Sequence, residues 1–184
     1  MRITIPTMLT LVRIAMIPIL VLVFYLPWAG ANQLAVLIFV LAALTDWADG
    51  WVARKFEMSS RLGAFLDPVA DKLMVAVALV LIVQANPDII LAVAGAVIIG
   101  REITVSALRE WMAIIGESAQ VKVQWIGKLK TTAQMVAIGF CLYGEPLFAL
   151  PILAIGEVLL IVAAGLTLVS MSMYLRAAWP ALRA

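Results

Sequence analysis

Between Ile14 and Thr45 the chain runs for 32 residues without a charged side chain. As one straight helix this run would measure ~48 Å at ~1.5 Å per residue, against a hydrocarbon core ~30 Å thick. It is too long for one crossing and has to fold back, and "PWAGAN", Pro27 to Asn32, supplies the turn. A soluble core is excluded by composition. Of the 184 residues, 65% are hydrophobic and 13% charged, which leaves too little polar surface to clothe a water-facing domain. The chain reads as an integral membrane protein.

The same turn chemistry recurs at "ANPD", Ala85 to Asp88, and at "YGEP", Tyr143 to Pro146. Six helices follow, over residues 6–27, 33–55, 62–84, 88–112, 126–144 and 148–175. The expected architecture is an all-α bundle of six transmembrane helices, one domain over residues 1–184. The start of the chain does not read as a removable signal peptide. Arg13 interrupts its apolar core, the apolar run continues to Trp28, and no convincing small-x-small cleavage site follows.

Charge orients the bundle. The three turns contain no lysine or arginine, whereas Arg54, Lys55, Arg61, Arg101, Arg109, Lys122, Lys128, Lys130 and Arg176 lie at the opposite ends. The positive-inside rule puts that face, with both termini, in the cytoplasm. The net charge of +2 calls for no nucleic-acid partner; anionic lipid or an anionic substrate at one face accounts for it.

There is no histidine and one cysteine, Cys141, so imidazole catalysis, histidine-ligated haem, thiolate zinc and an internal disulfide are excluded. Ionic chemistry must come from carboxylates, lysines and arginines. Four of the five aspartates fall in "TDWADGWVARKFEMSSRLGAFLDPVADK", Thr45 to Lys72. Counted from the external turns at ~1.5 Å per residue, Asp46 and Asp71 lie ~21 and ~22 Å deep, and Asp49 and Asp67 ~26 and ~28 Å. The acids on two antiparallel helices therefore match in height near the cytoplasmic edge.

Asp46, Asp49, Gly50 and Ala53 share one helical face, as do Ser60, Gly63, Asp67 and Asp71 on the next. The small residues leave room for close helix approach or a bulky ligand. Four converging carboxylates need a cation, and hard oxygen ligands suit magnesium or manganese, with two ions using the set fully. A plainer reading makes Asp67-Pro68 a helix cap and pairs Asp46 or Asp49 with Arg54 or Lys55. It explains one or two of the aspartates, not four at matched depth, and ionisable groups within a membrane are expensive.

"DWADGWVAR", eight residues, then "GAFLDPVAD" matches D-x-x-D-G-x-x-A-R…G-x-x-x-D-x-x-x-D at every fixed position: Asp46, Asp49, Gly50, Ala53, Arg54, Gly63, Asp67 and Asp71. In this the chain resembles the CDP-alcohol phosphatidyltransferases. "IPTMLTLVRI" and "REI…SALREW…WIGKLKTTAQM" look like the bacterial members that make phosphatidylglycerol phosphate. The resemblance fades after Phe140 into generic apolar helix. It also departs at Thr7, where many relatives carry asparagine.

The resemblance implies a six-helix homodimer in the bacterial inner membrane, with a two-metal site open to the cytoplasm. It implies transfer of a phosphatidyl group from CDP-diacylglycerol to glycerol 3-phosphate with loss of CMP. Asp46, Asp49, Asp67 and Asp71 would hold the metals, with Asp71 the base. Thr10, Arg13, Gly50, Arg54, Ser60 and Gly63 would form the CDP-diacylglycerol side. Arg101, Arg109, Lys128 and Lys130 are the clustered cations left for glycerol 3-phosphate. Lys128 and Lys130 cannot share a helical face, so one is expected to meet phosphate and the other lipid headgroups. Mundane roles stay open for Thr10, bonded to its own helix, for Arg13, snorkelling to the interface, and for the basic cluster as positive-inside residues. Glu157 has no assigned role. The competing functions are a sibling transferase with another acceptor such as inositol phosphate, a divalent-cation transporter, and an aspartate-rich membrane prenyltransferase.

Overall fold

A computed structural model describes residues 4–56, 60–116 and 124–183 of the protein. Lys122, and the side chains of Arg54, Arg61 and Lys128, lie outside the described residues. The elements are α1 (Ile5–Phe24), α2 (Ala31–Phe56), α3 (Arg61–Ala85), α4 (Ile89–Ile114), α5 (Gln124–Tyr143) and α6 (Ile152–Arg183). No named strand occurs among the described residues, and Leu147 and Leu150 form an isolated bridge. The expected all-α membrane bundle is the observed architecture; of the three expected turns, those at 27–32 and 85–88 fall between α1 and α2 and between α3 and α4, and the third begins after Tyr143 as expected but runs longer.

Local chemistry explains the helix starts. Ser60 caps α3 by accepting from the Gly63 amide at 2.9 Å, and Asp88 caps α4 by accepting from Ile90 and Leu91. Asp67 and Pro68 therefore lie inside α3 rather than at its start, and the capping reading of that pair is wrong. The cap on α4 accounts for Asp88, the one aspartate outside the cluster.

The last helix departs most from expectation: it begins at Ile152, not 148, and runs to Arg183, not 175. Phe148 and Ala149 take left-handed φ values of 48° and 64°, and Pro151 follows, so a helical turn cannot start earlier. Past Arg176 the chain leaves the apolar run, but Ala177 and Ala178 favour helix, and α6 continues through Pro180 to Arg183.

Among the described residues four helices, α1, α4, most of α2 and most of α6, are long and apolar enough to cross a membrane. Every helix contributes to one core, in which Leu20, Phe39, Leu79, Ile98, Ile138 and Leu160 are buried. Outward-facing Leu22, Val80, Val93 and Val158 are left exposed, as lipid-facing positions would be. α1 packs on α2 and α3, and α6 on α4 and α5. Gly156 sets the closeness of α5 and α6, since a Cβ there would meet Cys141 Sγ and Phe140 Cβ at 2.9 Å.

Candidate active site

On α1, Thr7, Thr10 and Arg13 are buried, at a spacing that lays them along the side facing α2 and α3. Arg13 donates from Nη1 to Asp46 Oδ1 at 2.7 Å and from Nη2 to Asp49 Oδ2. The Thr10 hydroxyl reaches Asp67 Oδ1 and also the Pro6 carbonyl at 3.0 Å. Arg13 is 1% exposed, so it does not snorkel. Thr10 keeps its bond to its own helix and adds one to the acid cluster. The aspartates of α2 pair with Arg13 instead of Lys55, whose Nζ lies 4.4 Å from the Trp51 ring centre.

Thr7, where the sequence departs from its relatives, is also engaged: its hydroxyl lies 2.7 Å from Ser60 Oγ and 2.9 Å from Thr4 Oγ1. A Cβ on Gly63 would stand 2.9 Å from Thr7 Oγ1 and 3.1 Å from Ser60 Oγ. Glycine there lets α3 meet α1 closely, which aims the next turns of α3, with Asp67 and Asp71, at α1 and α2.

A cavity of about 940 Å³ opens beside this cluster. Arg13, Asp46 and Asp71 line one side, and Arg101, Glu102, Arg109, Lys130 and Tyr174 the other. Asp71 lies within electrostatic reach of both Asp46 and Glu102, and Asp49 within reach of Asp46 and Asp67. The structure thus brings Asp46, Asp71, Arg101, Arg109 and Lys130 to one space, while Asp49 and Asp67 lie behind it, held by α1. Gly50 is half-buried on α2. Ser60 is used as a cap and as the partner of Thr7.

The basic wall is held by Glu102, Ser170 and Tyr174, the last two of which the sequence did not single out. Arg101, 8% exposed, donates to Glu102 Oε1 at 2.9 Å and to Ser170 Oγ at 2.8 Å. Lys130, 2% exposed, donates to the same Glu102 oxygen at 2.5 Å. Arg109 donates to the Tyr174 hydroxyl at 2.7 Å and lies over its ring. Arg109 is therefore tied to α6 rather than neutralised by Glu102, which serves its neighbours. Thr167, Ser170 and Tyr174 recur at helical spacing along α6, a weak polar stripe in an apolar helix that could have flagged this face.

The acid set fits a divalent cation by chemistry: hard carboxylate oxygens on two facing helices, crowded enough to need positive charge. As placed, no three acidic side chains among the described residues converge on one point. Their oxygens turn to Arg13 and Thr10, and the guanidinium supplies the counter-charge.

Fold and cavity together define an all-α membrane bundle in which acids and cations face each other across one space, an arrangement suited to a phosphate-bearing ligand held at both ends. The family model for CDP-alcohol phosphatidyltransferase matches residues 3–169. The chain belongs to that family. It is 53% identical to the CDP-diacylglycerol–glycerol-3-phosphate 3-phosphatidyltransferase of Pectobacterium atrosepticum, covering 97% of this chain and 96% of the relative. The proteins of the same name from Salmonella choleraesuis and Pseudomonas fluorescens are each 51% identical, over 97% of this chain and 96% and 92% of theirs.

Proposed function

We propose that this chain transfers the phosphatidyl group of CDP-diacylglycerol to the 1-hydroxyl of sn-glycerol 3-phosphate, forming phosphatidylglycerol phosphate and releasing CMP. The carrying observation is the single cavity that has Asp46 and Asp71 on one wall and Arg101, Arg109 and Lys130 on the other. A reaction that joins a diphosphate donor to a phosphorylated acceptor needs both kinds of wall. The names of relatives about half identical over nearly the whole chain support the same acceptor.

In this reading Asp46, Asp49, Asp67 and Asp71 hold two divalent cations, magnesium or manganese, which would neutralise the donor's diphosphate as charge moves to the leaving group. Asp71 lines the cavity, is not held by α1, and takes the proton of the attacking hydroxyl. The oxygen of that hydroxyl forms the new bond to the lipid-linked phosphorus as the bond to CMP breaks. Arg101, Arg109 and Lys130 hold the acceptor's phosphate, and Gly50 and Arg54 remain the nucleotide-side residues of α2. An apolar groove of about 490 Å³ between α2 and α5 shares Ala43, Met135 and Val136 with the polar cavity. That continuity suits a donor with a polar head and hydrocarbon tails. The site faces the cytoplasm, where the water-soluble acceptor reaches the basic face.

The test is transfer by the purified protein from CDP-diacylglycerol to labelled glycerol 3-phosphate, with and without magnesium. Asp46→Asn and Asp67→Asn should each cost about 10²–10³-fold or more in turnover while the bundle stays folded. Full turnover in excess chelator would remove the metals from the reading. Preferential use of inositol phosphate would assign the fold to another acceptor.

A further inference from the structure

The basic wall of the cavity contains its own anion. Glu102 Oε1 accepts from Arg101 Nη1 at 2.9 Å and from Lys130 Nζ at 2.5 Å. These are charge-assisted bonds of the kind a phosphate oxygen would make. The members of this triad differ in freedom. The Arg101 and Lys130 side chains are 9% and 2% exposed, whereas that of Glu102 is 26% exposed and lines the cavity. Arg101 does not depend on Glu102 for its orientation, because Ser170 Oγ takes its other terminal nitrogen at 2.8 Å and the Tyr174 ring lies 5.9 Å away. Arg101 is anchored without Glu102 and Lys130 is buried, so the more exposed carboxylate is the member that can leave.

We propose that Glu102 is a resident anion of the acceptor site, occupying in the empty enzyme the donor groups of Arg101 and Lys130 that the acceptor's phosphate takes over. This rests on the acceptor assignment above and adds a specificity-determining residue to it. Two buried cations side by side would repel each other and would both lack a counter-charge, so the empty site needs an anion of its own. A phosphate monoester brings about −1.5 to −2 charges at neutral pH and more acceptor oxygens than one carboxylate. It displaces Glu102, while a weaker monoanion does not. With Glu102 in place, Arg101, Arg109 and Lys130 leave a net of two positive charges among the described side chains of this wall, matched to one dianionic phosphate.

Glu102→Gln separates competition from support. The probe is inorganic phosphate, and the readout is thermal stabilisation of the purified full chain, alongside the KM of each substrate. Without added anion the variant should melt earlier than the parent. The phosphate concentration giving half-maximal stabilisation should be roughly tenfold lower in the variant than in the parent, the effect of removing one charge a few ångströms away in a partly buried site. The KM for glycerol 3-phosphate should fall in the same proportion, while the KM for CDP-diacylglycerol stays unchanged. Should Glu102→Gln not fold, Glu102→Asp draws the carboxylate back by one methylene and should move the same quantities the same way by less. Equal or weaker phosphate protection in the variants, or a raised acceptor KM, overturns the proposal in favour of Glu102 as a support for the cations. If the parent used no glycerol 3-phosphate at all, the acceptor assignment would fall, and the phosphate measurement would still decide the role of Glu102.

Discussion

The acid wall and the basic wall of the cavity settle their charges in opposite ways. On the acid side one arginine from α1 serves two aspartates of α2, and a threonine serves a third aspartate on α3. Four aspartates outnumber Arg13 and Lys72, so the wall keeps an appetite for positive charge. On the basic side one glutamate serves two cations while a third rests on a tyrosine, so the wall keeps an appetite for negative charge. Each wall is under-neutralised in the sense its ligand corrects, and buried charges of either sign are tolerable only because of these partial partners. The difference teaches that Arg13 and Glu102 do the same job with opposite signs.

The strongest way to break that comparison is to remove the acid wall's own cation. Arg13→Ala should cost about 3–5 kcal/mol of stability, because Asp49 is left buried and unpaired. Thermal melting in detergent measures it, and added magnesium should restore part of the loss; indifference to magnesium would show that these acids take up no metal. On the other wall, Arg101→Ala removes a charge-assisted contact worth ~1.5–3 kcal/mol, raising the KM for glycerol 3-phosphate roughly ten- to a hundredfold. The KM for CDP-diacylglycerol should stay near its parent value, and equal effects on both substrates would mean that the walls are not functionally separate. Tyr174→Phe sharpens the same point: it keeps the ring under Arg109 and deletes one hydrogen bond, for about a two- to tenfold rise in acceptor KM. The smallest effect is expected from Thr7→Val, which breaks the α1–α3 bond to Ser60. It should lower stability by about 1 kcal/mol and leave both Michaelis constants alone.

The two walls also differ in how far they could be read from the chain. The four aspartates sit on two sequence-adjacent helices joined by a short link, so rise per residue and face periodicity alone bring them to one height. The basic wall draws Arg101 from α4, Lys130 from α5 and Tyr174 from α6, and no spacing rule relates helices so far apart in sequence. Sequence chemistry named the cations, because charge in an apolar chain stands out. It passed over Ser170 and Tyr174, because hydroxyls on a long apolar helix are ordinary. Thr7 was set aside because its identity differed from that of relatives, yet its hydroxyl is spent on Ser60. The start of α6 was misplaced because Phe148 and Ala149 adopt a left-handed backbone that their side chains do not announce.

The groove between α2 and α5 has a consequence for traffic. It is walled by side chains such as Val40, Leu44 and Val136, which are themselves exposed on the outer surface, and the residues it shares with the polar cavity, Ala43, Met135 and Val136, are all uncharged. A lipid donor can then slide in from the side with its tails still in hydrocarbon, and the lipid product can leave by the same slot. At ~0.8 kcal/mol per methylene, lifting one long acyl chain out of the bilayer would cost roughly 10 kcal/mol. A side door removes that toll from every turnover, leaving only the water-soluble acceptor and the departing nucleotide to cross the aqueous mouth.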